Sequence, residues 1–260
     1  MDFLAAYHPN WYIFNDSNLA FIQEFLVREG NPNKPYYSGV TIFHDAINIP
    51  SDNIRVVREL INAGADVNLR THLDLTPLHL AVSQRKQQVV KALIQSGASV
   101  NAKDFLGRTS LHFAVTPLIF RGPHMKLRIP PDPTIINNLL QHKDIDCNAM
   151  DSNGETALMM AVKDQEMSAA LQLFRNEANP NICNNDFETP LHAAFSLSPS
   201  YIEIQLLLSG ANIYSVDKNG QTPLDILLKN GQTYHFLVHC MQYYNENDYV
   251  QQKGKLEMYA

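Results

Sequence analysis

Ten histidines are spread through the 260 residues, and four of them, His44, His79, His112 and His192, recur in like surroundings. Imidazole is both a metal ligand and a proton carrier near neutral pH. Carboxylates also come in close pairs, Asp151 with Glu155 and Asp164 with Glu166, the raw material of general acid and base catalysis. Neither chemistry closes. The four histidines repeat at one place in successive structural units, and stacked helices lie about 8–10 Å apart, whereas metal ligands converge to about 2 Å. The paired carboxylates fall on turns and helix ends, where solvent keeps them ordinary, and a catalytic acid needs burial or a close like charge. Nothing near Cys183 in sequence would activate a thiolate. There is no GxGxxG, GxxxxGK[ST], HExxH or GxSxG. The residues therefore point to no catalytic, cofactor or metal site, and to a protein that is not an enzyme.

The elements that must position these histidines are read from the repeat itself. Thr76-Pro-Leu-His79 and Thr189-Pro-Leu-His192 have relatives at Thr41-Ile-Phe-His44, Thr109-Ser-Leu-His112, Thr156-Ala-Leu-Met159 and Thr222-Pro-Leu-Asp225, with threonine spacings of 35, 33, 47, 33 and 33. A second series keeps step: Gly64-Ala-Asp-Val-Asn68, Gly97-Ala-Ser-Val-Asn101, Asp146-Cys-Asn148, Asn179-Pro-Asn181 and Gly210-Ala-Asn-Ile-Tyr214. Threonine is a helix N-cap, and Pro77, Pro190 and Pro223 suit the first helical position. A short helix follows, then a polar break, then a second helix with apolar pairs such as Val89, Val90, Leu93 and Ile94, stopped by a glycine. The segment after each Asn is turn chemistry. One such unit cannot bury its apolar face alone, so units must stack.

Six tetrads in register make the chain resemble the ankyrin-repeat family over roughly residues 36–240. The resemblance implies an all-α solenoid: about six helix-turn-helix units with β-turn fingers, degenerate capping repeats, and a concave surface made by fingers and first helices. It also implies that each tetrad histidine bonds backbone between repeats, and that asparagines such as Asn68, Asn101, Asn148 and Asn181 are open to hydroxylation by an oxygenase. Their plain role is to tie neighbouring fingers by hydrogen bonds. Glu177 and Asp144 stand where the family has a helix-ending Gly, and Phe187 and Asp74 where it has a finger Gly, so these repeats should be the less stable ones. The organisation expected is an N-terminal segment with degenerate capping helices over 1–35, with 17–33 as a helix pair. A repeat domain over 36–244 follows, with a capping helix through Tyr234 to Met241, then a flexible tail over 245–260. The third repeat carries 14 extra residues, mostly 117–133, rich in proline, apolar and basic side chains.

Composition sets the outer limits. At 45% hydrophobic and 18% charged the chain can build a core. A net charge of −6 gives no global field for nucleic acid, and no stretch reaches the roughly 18 apolar residues of a membrane span. Three scattered cysteines without a CxxC pair are the usage of a reducing compartment, so the reading is cytoplasmic with the nucleus as the alternative.

What remains is a protein-binding module, a scaffold or adaptor. Positions that vary between units are its contact set: Arg70, Leu73, Lys103, Phe105, Leu106, Arg108 and Met150 on the fingers, Arg85 and Lys86 at a first-helix end, and Phe120 in the insertion. Charge is sorted along the chain. From Leu69 to Pro130 nine basic residues meet two acidic ones, and from Asp151 to Asp217 nine acidic meet two basic. That asymmetry suggests a partner protein with an acidic surface facing repeats two and three, and not nucleic acid or membrane. A monomer is the expectation, with head-to-tail self-association as the alternative. Two other functions fit short arrays: an inhibitor similar to the cytoplasmic retention proteins of Rel-type transcription factors, and a substrate receptor of a ubiquitin ligase.

Overall fold

Thr76 is extended (φ −90°, ψ 163°), so its side chain reaches the free N–H groups of the turn that follows. Its Oγ1 accepts from the His79 N–H, and its own N–H donates to His79 Nδ1 at 3.1 Å. In the computed structural model this reciprocal cap starts α4 (Pro77–Ser83). It recurs through His44 at α2 (Ile42–Asn48), His112 at α6 (Ser110–Val115) and His192 at α10 (Pro190–Ser196). Asp225 takes the histidine's part at α12 (Pro223–Lys229). Met159 has no polar atom to return, so Thr156 caps α8 (Ala157–Lys163) in one direction only. Pro77, Pro190 and Pro223 occupy the first turns of their helices, as their missing N–H groups allow.

Each first helix reverses into a second: α3 (Ile54–Asn62), α5 (Gln87–Gln95), α7 (Pro133–Leu140), α9 (Met167–Arg175) and α11 (Ile202–Leu208). The structure describes residues 17–231 except 29, 37, 50–53, 122–125, 198 and 199. They fall into two compact units that meet in sequence at Ser152 and Asn153. In the first unit α2, α4 and α6 lie side by side, and α1 (Ser17–Val27), α3, α5 and α7 form the second row. In the second, α8, α10 and α12 form one row and α9 and α11 the other. Residues 17–33 thus supply one helix, α1, rather than the expected pair, and α1 takes the place of a second helix by packing on α3. The expected capping helix beyond Tyr234 and the tail over 245–260 lie outside the described residues.

Leucine, isoleucine, valine and alanine from the facing rows make the core. Leu78, Val82, Val90 and Leu93 are sealed in the first unit, and Leu158, Leu173, Leu191 and Leu206 in the second. The helix-ending residues Gly64, Gly97 and Gly210 are left-handed at φ 84–86°, and Glu177 is forced into the same state at φ 62°. Asp144, assigned to that position from sequence, is not left-handed. The chain leaves α7 through an additional turn in which His142 N–H bonds Leu139 O and Ile145 N–H bonds His142 O, so no residue there needs a positive φ. Asp74 (φ 56°) and Phe187 (φ 60°) adopt the finger conformation that Gly107 and Gly154 supply elsewhere, at a cost of about 1–2 kcal/mol each.

Within the insertion the described residues form two paired strands rather than irregular chain. β1 (Leu118–Arg121) and β2 (Lys126–Ile129) pair antiparallel, with Leu118 opposite Ile129 and Phe120 opposite Leu127. They form a two-stranded ribbon at the joint between α6 and α7, with Ile119, Leu127 and Ile129 left exposed.

Leu93→Ala or Leu206→Ala should cost about 2–5 kcal/mol in urea unfolding, since both side chains are fully buried. The Leu206 variant should lose amide protection in the second unit first, and uniform loss would contradict nearest-neighbour energetics. Glu177→Gly should stabilise by about 1 kcal/mol, because the equivalent glycines show open space where a Cβ would stand, leaving backbone strain as the difference. Burial pushes the His79 imidazole down to about 4 from 6.5. The unfolded chain then binds a proton that the folded one refuses. Its contribution is complete above about pH 6.5 and is lost as pH falls towards 4, on the order of 3 kcal/mol in all. A proton NMR titration of His79 centred near 6.5 would contradict this.

Candidate functional site

Four of the fingers are built by a residue five positions before the tetrad threonine. Asp104 Oδ1 accepts from the N–H groups of Leu106 (3.0 Å) and Arg108 (2.8 Å), folding the chain between them into a tight turn. Asn184 does the same for Asp186 and Glu188, and Asp217 for Asn219 and Gln221. Thr71 does so with longer bonds of 3.3 Å to Leu73 and Leu75. Sequence reading treats this stretch only as turn-forming. The signal was present in the recurrence of Asp or Asn at that offset.

Adjacent fingers are then tied edge to edge. In the first unit His72 N–H donates to Ser38 O, Phe105 N–H to Leu73 O and Ser152 N–H to Leu106 O, at 2.8–3.1 Å. In the second, Asn185 N–H donates to Asn153 O and Lys218 N–H to Asp186 O, both at 2.9 Å. The finger asparagines add a second tie. Asn68 Nδ2 donates to Gly97 O while its Oδ1 accepts from Ser99 N–H. Asn101 grips Asp144 O and Asp146 N–H in the same way, Asn181 grips Gly210 O and Asn212 N–H, and Asn33 grips Gly64 O and Asp66 N–H. The fastening expected of Asn68, Asn101 and Asn181 is thus in place, and Asn33, which sequence reading missed, extends it towards the N-terminus. The tetrad histidines lie one layer deeper. Their Nδ1 atoms accept from threonine, which leaves the proton on Nε2, and Nε2 of His44 and His192 meets the carbonyls of Leu69 and Gln221 at 3.2 and 3.1 Å.

With the backbone satisfied, the finger side chains face outward. Leu73 is 39% exposed, Phe105 56%, Leu106 38% and Met150 46%, all within the first unit. The basic residues among them are half committed. Arg70 donates to Lys103 O at 2.8 Å and lies 3.7 Å from Asp74, and Lys103 Nζ donates to Met150 O at 2.8 Å. Arg108 pairs with the buried Asp104 at 2.7 Å and stacks 4.4 Å above the Phe113 ring. Arg70 and Lys103 staple finger to finger through their polar heads, Arg108 braces its own finger, and all three still present charge at the surface.

Arg85 and Lys86 do not belong to that patch, contrary to the sequence reading. Arg85 is left-handed (φ 58°), and the Lys86 N–H bonds back to Ala81 O, so the two side chains turn from the fingers towards the ends of the neighbouring first helices. Lys86 is 5% exposed; its ammonium donates to Ile47 O and Ile49 O at the end of α2. The Arg85 guanidinium donates to Ala114 O and Thr116 O at the end of α6. Two adjacent cations therefore cap first helices on either side, where the dipole favours positive charge. Gln165 (φ 57°) makes the same reversal, and it buries Glu166, which sequence reading left on the solvated surface. Phe120 has its backbone in β1, and its side chain lies outside the described residues.

The second unit has a different surface. Phe187, Tyr214 and Val216 are well exposed, and a cleft lies among Glu155, Lys163, Asn184, Asp186 and Glu188. Lys163 bonds Glu155 and lies 3.9 Å from Glu188, and Lys218 pairs with Asp186 at 2.8 Å. Among the described residues no group of three or more His, Cys, Asp or Glu is placed to hold a metal ion, and no helix is long and apolar enough to cross a membrane.

Known proteins share this architecture. A family profile described as Ankyrin repeats (3 copies) matches residues 43–117 and 130–204, and the break between the two stretches holds the paired strands β1 and β2. Human neurogenic locus notch homolog protein 1 is 30% identical over 176 residues, which is 67% of this chain and 6% of that protein. The Xenopus laevis protein of the same name is 29% identical over 188 residues, 72% of this chain and 7% of its own length. The chain therefore spans a small fraction of these relatives. Among solved structures, the ankyrin repeat domain of Bcl-3 superposes with a TM-score of 0.65 at 24% identity, covering 86% of this chain and 91% of that one. The human ASB11 ankyrin repeat domain superposes at 0.63 and 22% identity, covering 81% and 87%. The matched family profile, which covers more than half of the sequence, and the capped helix pairs with their tied fingers place this chain in the ankyrin-repeat family.

Proposed function

We propose that this chain is a scaffold or adaptor that docks another protein, and that repeats two and three carry the docking face. The observation that supports it is the exposed row of Leu73, Phe105, Leu106 and Met150 on one hydrogen-bonded finger edge, flanked by Arg70 and Lys103. Rigid apolar anchors on a backbone that needs no further partners are the usual source of residence time at an interface. The flanking cations favour a partner with an acidic surface. At about 10 Å between fingers they sit close to the Debye length of about 8 Å, so they act on encounter as a patch. Exposed pairs are worth only about 0–1 kcal/mol each, which makes them a source of rate and selectivity more than of affinity.

The same reading gives the working unit as residues 36–244 with the insertion over 117–133, acting as a monomer in the cytoplasm or nucleus. A retention inhibitor and a ligase receptor would use the same face and differ in what they hold, so affinity capture of the full chain with mass spectrometry separates them.

With the captured partner in hand, Arg70→Glu with Lys103→Glu should slow association severalfold and flatten its salt dependence, leaving dissociation nearly unchanged. Phe105→Ala should speed dissociation and leave association alone. Arg85→Glu should instead lower the unfolding midpoint, since that side chain caps α6. Unchanged association and dissociation rates in the first two variants would move the docking face elsewhere.

A further inference from the structure

The second and sixth residues after the tetrad threonine are interior in five repeats. Phe43, Leu78, Leu111, Leu158 and Leu191 hold the first of these places, and Ile47, Val82, Val115, Val162 and Phe195 the other. None of the ten is more than 4% exposed. In α12 the same two places belong to Leu224 and Leu228, which are 39% and 56% exposed. Pro223 and Leu227, one residue before each, are buried. The helix thus packs on α10 through one side and leaves open a second, apolar side that the earlier first helices bury.

The chain leaves α12 by the turn that ends α4 and α8. Asn230 N–H bonds Ile226 O and Gly231 N–H bonds Leu228 O, as Gln84 and Arg85 bond Leu80 and Val82, and as Asp164 and Gln165 bond Met160 and Val162. Gly231 is left-handed (φ 65°), like Arg85 (58°) and Gln165 (57°). Two residues beyond Arg85 and Gln165 the chain starts back as α5 and α9, each packed on its own first helix. At the matching distance beyond Gly231, six of the eight residues from Tyr234 to Met241 are apolar.

We propose that residues 232–244 of this same chain return across α12 and cover Leu224 and Leu228. The turn at Gly231 gives the direction, and Tyr234, Phe236, Leu237 and Met241 give the apolar surface. A partner helix or a second copy must compete with a segment tethered directly to α12, and so short a link gives the tethered segment a high effective concentration. Covered in this way, the open side of α12 is not offered to a second copy, in keeping with a monomer. The inference stands apart from the docking face of repeats two and three, and neither needs the other.

Cross-linking and hydrogen exchange of the full chain test it. With Leu228→Cys, a short bifunctional maleimide should join position 228 to Cys240 in a product of monomer mass, and Cys240→Ser should abolish that product. Phe236→Asp combined with Leu237→Asp should speed the exchange of the α12 amides by about tenfold or more, while those of α4 and α5 keep their rates. Unchanged exchange of α12 in that double variant overturns the inference whatever the cross-links show. Linkage of position 228 between two chains also overturns it, and assigns the face to a second copy.

Discussion

A neutral imidazole holds this fold in register. In the tetrads Nδ1 must accept from threonine, so the ring cannot carry a second proton without losing the helix cap. With Nε2 left as a donor, the ring reaches a carbonyl of the next repeat, as His44 and His192 do. One side chain thus fixes where a helix starts and how far away the next finger lies. The requirement also explains why these histidines are unsuited to metal chemistry. A ligand nitrogen needs a free lone pair, and the only one on each ring is already engaged. Burial that lowers the affinity of His79 and His44 for protons protects the same arrangement.

The left-handed positions are the second constraint, because the chain must reverse at fixed places whatever residue arrives there. Glycine meets the demand at most of them, while Asp74, Glu177 and Phe187 meet it under strain. The helix-to-helix joint makes the same demand on Arg85 and Gln165, and the consequence reaches past the backbone. The residue after the reversal is drawn under the repeat, so Lys86 and Glu166 become interior side chains whose charges must be met by polar groups. For Lys86 those groups are helix-end carbonyls.

Much of this was legible in the residues because repetition averages out local ambiguity. Threonine, proline and glycine at unit spacing give the helix starts and stops, and the outward Phe105 and Leu106 follow from their place at the finger tip. What stayed hidden has a common cause, in that burial depends on backbone direction more than on residue type. Lys86 looked solvated because lysine normally is, and only the positive φ of the residue before it turns the ammonium inward. Asp104 looked like one acid amid basic residues, while its carboxylate is the buried centre of a turn and the partner of Arg108. The paired strands at 118–121 and 126–129 offered only four residues each, too short a run to separate from a loop.

The finger edge shows how such a fold separates its duties. Main-chain bonds from finger to finger, the asparagine ties and the Asp, Asn or Thr at the turns satisfy the backbone, so apolar side chains at the tips such as Phe105 are released from structural work. Sequence can then change at the tips without altering the frame. The two units show that freedom used in opposite senses: leucine, phenylalanine and methionine among cations in one, and carboxylates beside an exposed phenylalanine in the other. A compact single-core domain could not vary its surface so independently, because there each exposed patch shares its packing with the rest. Here each finger answers only to its neighbours, so chemically distinct faces can stand on one repeated backbone.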